Sequence, residues 1–228
     1  MVDFHSHILP NVDHGAASLD ISIQMLNAAK KAGVTKIVAT PHFYSHKDSL
    51  HSFLERRSTA ITELRNYIAE NSSIGIDIIC GAEVALGHKL LSHDLKQLTI
   101  EGTNAILIEM PMFDHWQSWM FDMLYEIESR FSLTVILAHV DRYGKEKAER
   151  LLDMGFLAQI NAESLVRGSF GEKRRMRSFC KNGAIHLIGS DAHDISERTY
   201  TDLILASKKL PRALLSYFEE NALDILAN

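Results

Sequence analysis

Only two cysteines, Cys80 and Cys180, occur in the 228 residues, too few for a disulfide framework and in keeping with a reducing cytoplasm. Prolines number four, and no Pro/Gly/Ser-rich stretch, low-complexity tract or internal repeat divides the chain, so residues 1–228 read as one domain. Lys and Arg number 24 against 29 Asp and Glu, which removes the basic field that draws proteins to nucleic acid or anionic lipid. Every apolar run is far too short to span a bilayer, and a His-x-His pair follows Met1 almost at once, so neither membrane insertion nor a signal peptide is expected. Nucleotide loops of the G-x-x-x-x-G-K-[ST] or G-x-G-x-x-G kind are missing. So is the phosphate loop of a cysteine-dependent phosphatase: GAEVAL follows Cys80 and KNGAIH follows Cys180, without the arginine that closes such a loop.

The chain is 46% hydrophobic, enough for a full core, and its short β-branched runs alternate with segments of helical period. Strands are predicted at Val2–Phe4, Val34–Thr40, Ile76–Cys80, Ala105–Ile108, Thr134–Ala138, Phe156–Ile160 and Ile185–Ile188. A helix is predicted at Ser18–Ala32, where apolar residues recur at 19, 21, 23, 25, 26, 28 and 29 before a glycine stop at Gly33. Others are predicted at Leu50–Ile68, Leu124–Phe131, Glu146–Met154, Gly171–Asn182, Arg198–Lys209 and Pro211–Leu226, with Pro211 in a first turn. Strands alternating with helices imply a mainly parallel α/β sheet. Their number favours a closed or nearly closed barrel over an open doubly wound sheet.

Such sheets place their chemistry at the carboxyl ends of the strands. The residues found there are His5 and His7, His42 after IVATP, Glu83 after IICGA, Glu109 after AILI, His139 after VILA, and Asp191 and His193 after HLIGS. On an extended strand, His5 and His7 at spacing two point to the same face, and neutral imidazole suits Zn, Mn, Fe or Ni. His, Asp and Glu make up 41 of 228 residues. A three-residue window therefore holds one by chance about 45% of the time, but six windows all do so only about 1% of the time. Individually these residues are weak signals; together they point to a metal site.

The segments HSHILPNVDHG (5–15), ATPH (39–42), GAE (81–83), LIEMP (107–111), LAHVDRY (137–143) and GSDAH (189–193) resemble the successive motifs of the PHP (polymerase and histidinol phosphatase) family. The branch they resemble most is the capsule-type CpsB/CapC branch of manganese-dependent protein-tyrosine phosphatases, and the match runs in order to about residue 198. The resemblance implies a distorted (β/α)7 barrel and a centre of three divalent metal ions. It implies ligand roles for His5, His7, His42, Glu83, Glu109, His139, Asp191 and His193, and phosphate-holding roles for Arg142 and Arg198. One position departs from the branch: Asp13-His14-Gly15 stands where Asp-Asp-Gly is usual. Other PHP enzymes use His there, so His14 is assigned as a ligand and Asp13 as its neighbour's support. The imidazole makes the site softer and less negative, shifting preference from Mn toward Fe or Zn. The implied substrate is a tyrosine-phosphorylated protein, the tail of a bacterial tyrosine autokinase of capsule or exopolysaccharide synthesis.

Clustered divalent ions would acidify a bridging water and clamp the phosphoryl oxygens, while arginines add bidentate donors that lysine does not reproduce. Three carboxylates would offset roughly half the charge of three such ions, leaving a site that favours an anion. Phe43, Tyr44, Phe113, Trp116 and Trp119 lie just beyond strand ends and are candidates to floor an entrance for an aromatic substrate, with helix packing as the alternative for the tryptophans. Surface ion pairing remains the alternative for the two arginines. Other readings of the whole chain are a small-molecule phosphatase of the histidinol phosphate type, an amidohydrolase lacking its usual bridging lysine, and a metal-binding regulatory domain without turnover.

Overall fold

The computed structural model describes residues 1–112, 115–196 and 198–227. In chain order the elements are β1 (Val2–Ser6), α1 (Leu19–Lys31), β2 (Lys36–Ala39), β3 (His42–Phe43), α2 (Leu50–Glu70), β4 (Asp77–Cys80), β5 (Glu83–Ala85), β6 (Ala105–Glu109) and α3 (Ser118–Phe131). They continue with β7 (Thr134–Leu137), α4 (Lys145–Leu152), β8 (Leu157–Asn161), α5 (Ala162–Val166), α6 (Phe170–Lys181), β9 (Leu187–Gly189), α7 (Thr201–Lys209) and α8 (Arg212–Leu226).

All strand pairs are parallel, in the orders β1-β2-β4 and β3-β5-β6-β7-β8-β9. The two sheets are one ribbon broken at a single level. Lys36–Ala39 pairs with Asp77–Cys80, and beyond Thr40-Pro41 and Gly81-Ala82 the same two chains pair again, His42 with Glu83 and Phe43 with Val84. Pro41 has no N–H to give a ladder, but its carbonyl accepts from the Glu83 N–H at 3.0 Å, so the lines stay side by side through the break. Counted this way, β3 continues β2 and β5 continues β4. The first and last lines then meet: the Asp191 N–H donates to the His5 carbonyl and the His7 N–H to the Ala192 carbonyl, both at 2.8 Å. The result is the distorted (β/α)7 barrel anticipated from the sequence.

The strands are short and buried on both faces, as parallel strands covered by helices must be; every residue of β1 is buried, as are Ile37, Val38 and Ala39 of β2. Helix α1 starts where the Ser18 hydroxyl accepts from the Ile21 N–H, and it buries Met25, Leu26 and Ala29. A smaller cluster gathers Val2, Phe4, Val38, Leu107, Ile136 and Leu187 from five strands, with Ala222 of α8. Helix α8 is tied to the entry of β9 by Tyr217 Oη donating to the Ile185 carbonyl and Asn221 Nδ2 to the His186 carbonyl, both at 3.0 Å.

Four expectations are corrected. The strand pieces β3 and β5 were not anticipated, because two or three residues carry no readable period. Helix α3 begins at Ser118 and not at Leu124: Met120, Phe121 and Met123 supply its buried face, and Trp119 lies within its first turn. Helix α7 begins at Thr201 and not at Arg198, because the Arg198 carbonyl accepts from the His193 and Asp194 N–H groups and so closes a turn. Pro211 precedes the first residue of α8 and does not sit in its first turn.

Barrel closure leaves no room at Gly189, where an added Cβ would sit 2.6 Å from the His5 Cβ and 2.8 Å from Gln159 Nε2. Gly189→Ala should therefore destabilise the fold by about 1–3 kcal/mol and displace His5. The check is a denaturant midpoint measured beside metal content; unchanged values for both would show that the closure is looser than described.

Candidate metal centre

Six of the seven strand lines deliver a ligand-type residue to the same end of the barrel; the line of β8 ends on Asn161 instead. Line β1 delivers His5 and His7, the β2/β3 break delivers His42, the β4/β5 break delivers Glu83, and β6 ends on Glu109. His139 follows β7, and Asp191 and His193 follow β9. His139 (φ 31°) and Asp191 (φ 51°) hold left-handed backbone that non-glycine residues rarely adopt. Strain of this kind costs about 1–3 kcal/mol per residue and is typical of functional sites.

The centre of the arrangement is the Glu83 carboxylate, which is fully buried. Its Oε2 lies 3.1 Å from His5 Nε2, 3.2 Å from His7 Nε2 and 3.0 Å from His42 Nδ1, and its Oε1 lies 2.6 Å from His139 Nε2. Glu109 reaches the same imidazoles from further out, at 3.9 Å from His42 Nδ1 and 3.7 Å from His139 Nε2. Asp191 Oδ1 lies 3.4 Å from His7 Nε2 and 3.7 Å from His5 Nε2. Among the described residues, three sets of donor atoms converge closely enough to share an ion: His5, His7 and Glu83; His7, His42 and His193; and His42, Glu83 and Glu109. The buried Nδ1 atoms of His42 and His139 make no hydrogen bond, the former although Glu83 Oε2 lies 3.0 Å away, at an angle that does not serve one. Buried imidazole nitrogens without a partner are costly unless something else takes their lone pairs, and a divalent cation fits that donor set of nitrogen and carboxylate oxygen.

A surrounding set of side chains fixes these ligands. Asp13 Oδ2 lies 2.7 Å from His7 Nδ1 and accepts from the His42 N–H at 2.8 Å, the arrangement that leaves Nε2 of a metal-binding histidine free to coordinate. Gln159 does the same for the opposite wall: its Oε1 lies 3.2 Å from His5 Nδ1 and accepts from the His139 N–H at 2.6 Å. Asp3 accepts from the Ser190 N–H and hydroxyl, both at 2.7 Å, and so anchors the loop that carries Asp191. Gln159 and Asp3 were missed from the sequence. The only trace of them in the sequence is a polar residue interrupting an apolar strand run, which has no period of its own.

Electrostatics divides the imidazoles into two kinds. Burial opposes charge on His5, yet Glu83 and Asp191 raise its pKa; burial likewise opposes charge on His7, yet Asp13 raises it well above the ordinary value. Burial pushes His42 and His193 the other way, each down to about 3, with the charge on His7 adding to the effect. Burial and the neighbouring Glu83 charge push Glu109 up to about 7. Against its own burial, Asp191 is held below the ordinary carboxylate range by His5 and His7.

His14 is exposed at the rim, with its ring 4.8 Å from that of His42 and 4.7 Å from that of His193. The two arginines meet in one pocket of about 360 Å³ that also exposes Asp191 and Asn161. Arg142 Nη1 lies 3.0 Å from Asp191 Oδ2, and Arg198 Nη1 lies 3.3 Å from His193 Nε2. Among the aromatic candidates, Phe43 is fully buried against Phe53 and belongs to the core, not to an entrance. Trp116 packs on Tyr143 and Phe121, Tyr44 and Trp119 line an open groove, and Phe113 lies outside the described residues. Burial raises the thiol of Cys80 and pushes that of Cys180 up to about 12, so neither is an activated nucleophile.

The sequence profile of the family described as capsular polysaccharide synthesis, CpsB/CapC, matches residues 1–211. A CapC protein of Staphylococcus aureus is 32% identical over 96% of this chain and 86% of its own length. The tyrosine-protein phosphatase YwqE of Bacillus subtilis is 30% identical over 100% of this chain and 92% of its own. In the solved structures, a chain from the work on YwqE of Bacillus subtilis and CpsB of Streptococcus pneumoniae, described as unique metal-dependent tyrosine phosphatases, superposes with a TM-score of 0.81 at 27% identity, covering 100% of this chain and 95% of that one.

Because a proton on His5 or His7 must leave before a metal can bind, loading the metal-free protein should release protons, and apparent affinity should rise as pH rises through the raised pKa values. Titrating Mn²⁺ into weakly buffered protein with a pH indicator measures this directly. Binding without acidification would mean that both imidazoles are already neutral.

Proposed function

This chain belongs to the CpsB/CapC family of capsular polysaccharide synthesis, and on that footing we propose that it is a metal-dependent protein-tyrosine phosphatase. The ligands are His5, His7, His14, His42, Glu83, Glu109, His139, Asp191 and His193, which hold three divalent ions. The carrying observation is the Glu83 carboxylate enclosed by four imidazoles, two of them with an unpartnered buried nitrogen, directly beside a pocket where two arginines meet. Manganese is the preferred ion, with Fe or Zn as competitors because His14 replaces a carboxylate. When bound, the ions supply an acidified water and Lewis acidity toward the phosphoryl group.

The chain's own groups do the rest. Arg142 and Arg198 present fixed, permanently charged donors to the equatorial phosphoryl oxygens, and Asp191 holds Arg142 in place through its Oδ2. Asn161 Nδ2 donates to the same oxygen at 3.0 Å, so the carboxylate that faces the metal cluster also sets the angle of the phosphate clamp. Asp13 and Gln159 keep His7 and His5 in the tautomers that present Nε2 inward. A tyrosine phenolate leaves with a pKa of about 10, so positioning and charge neutralisation matter more here than protonation of the leaving group. The substrate we assign is a phosphotyrosine-bearing tail of a tyrosine autokinase, met in the cytoplasm by a protein that acts as a single domain. No described helix is long and apolar enough to cross a membrane.

Turnover of an aryl phosphate and of a phosphotyrosine peptide should vanish with chelator and return with Mn²⁺. Arg142→Lys or Arg198→Lys should lower kcat/KM by about tenfold to a hundredfold while leaving bound metal unchanged. Full activity in metal-stripped protein, or a higher kcat/KM for histidinol phosphate than for the peptide, would overturn the assignment. For His14, alanine should lower bound metal by about one ion per chain and cut turnover, whereas His14→Asp should retain both. Elemental analysis of the two variants decides it, and a tolerated alanine would place His14 outside the cluster.

A further inference from the structure

Two separate openings flank the cluster. The arginine pocket exposes Asp191, and a larger groove of about 740 Å³ exposes Glu109; the two share no lining residue. The groove is walled by Tyr44, Met112 and Trp119, and its rim carries Lys47 and Lys89. Tyr44 stands against the site, with its ring 5.1 Å from that of His42. Lys47 Nζ sits 4.6 Å from the centre of the Tyr44 ring, and the His88 ring stacks on Trp119 at 3.9 Å. Among the described lining residues the sole acid is Glu109, whose carboxylate faces the metal cluster. Beyond that carboxylate the groove is therefore cationic and aromatic, on a chain whose net charge is -5.

A phosphotyrosine held by its phosphoryl group at the cluster leaves the polypeptide on either side of the tyrosine still to be accommodated. We infer that the groove leading from Glu109 is a recognition surface for that flanking polypeptide, in which Tyr44 and Trp119 receive an apolar or aromatic side chain and Lys47 and Lys89 select acidic ones. This rests on the phosphatase reading above and adds to it the class of sequence preferred. The choice of occupant follows from continuity with the site and from charge: a free small phosphate would be served by the arginine pocket alone, with no need of a second opening of about 740 Å³. Flexible lysine side chains on a rim fit selection by charge, while the fixed rings of Tyr44 and Trp119 offer apolar area at little entropic cost.

The test compares three substrates of the manganese-loaded protein: a phosphotyrosine peptide flanked by Glu, the same peptide flanked by Gln, and p-nitrophenyl phosphate. The wild type should favour the acidic peptide by about fivefold to tenfold in kcat/KM, mainly through KM, and the preference should shrink at high salt. In the double variant Lys47→Glu, Lys89→Glu the preference should disappear or reverse, while p-nitrophenyl phosphate stays within about twofold, which also reports that the variant is folded. Equal use of both peptides by the wild type, or a preference that survives in the double variant, overturns the inference and leaves the phosphatase reading standing. Failure of the wild type to hydrolyse any of the three overturns both.

Discussion

A buried carboxylate at the carboxyl end of a barrel, with no lysine or arginine against it among the described residues, is the constraint that the rest of this molecule answers. Ionised Glu83 is held below its ordinary pKa against its own burial only because His5, His42 and His139 stand around it. Those imidazoles come from different strand lines, so the electrostatics of one side chain depends on how the whole sheet is curled. The breaks at Thr40-Pro41 and Gly81-Ala82 serve the same end. They turn His42 and Glu83 toward the cluster at matching heights while the ladder on either side stays in register.

Strain and support are distributed unevenly around the site. The two candidate ligands in left-handed backbone, His139 and Asp191, are held by hydrogen bonds: Gln159 receives the His139 N–H, while Arg142 and Asn161 both reach Asp191. Asp191 thus faces two ways, toward His5 and His7 on one side and toward the arginine pocket on the other. Asp191 therefore joins the candidate metal centre to the arginine pocket, which sets it apart from Glu109, whose far side opens on the groove.

Much of the site was legible in the sequence because ligand chemistry and strand ends coincide: an apolar run that stops at His, Glu or Asp announces both at once. His5 with His7, and Asp191 with His193, are weak signals by themselves and gain weight only as part of the series that the structure gathers at one end of the barrel. Arg142, Arg198 and His14 needed a family resemblance, since nothing in local pattern separates a phosphate-binding arginine from a surface one. Gln159, Asp3 and Asn161 escaped because they act through hydrogen bonds to residues far away in the chain, and a single buried amide in FLAQIN has no period to betray it. The aromatic candidates misled for the opposite reason: Phe43 belongs to the core and Trp116 packs on Tyr143 and Phe121, so residue type alone could not distinguish a site wall from packing.

The meeting of the first and last strand lines has a kinetic side. His5 and His7 lie some 180 residues from Asp191 and His193 in the chain, yet they share one cluster and are joined by the backbone bonds that close the barrel. Contacts of such separation form late, because the entropy of closing so long a loop must be met before they contribute anything. The site can therefore exist only in chains whose final strand has already docked. A metal ion held there would draw the ring shut and shift the closing equilibrium by mass action, so the clasp of the barrel and the candidate metal centre share His5, His7 and Asp191.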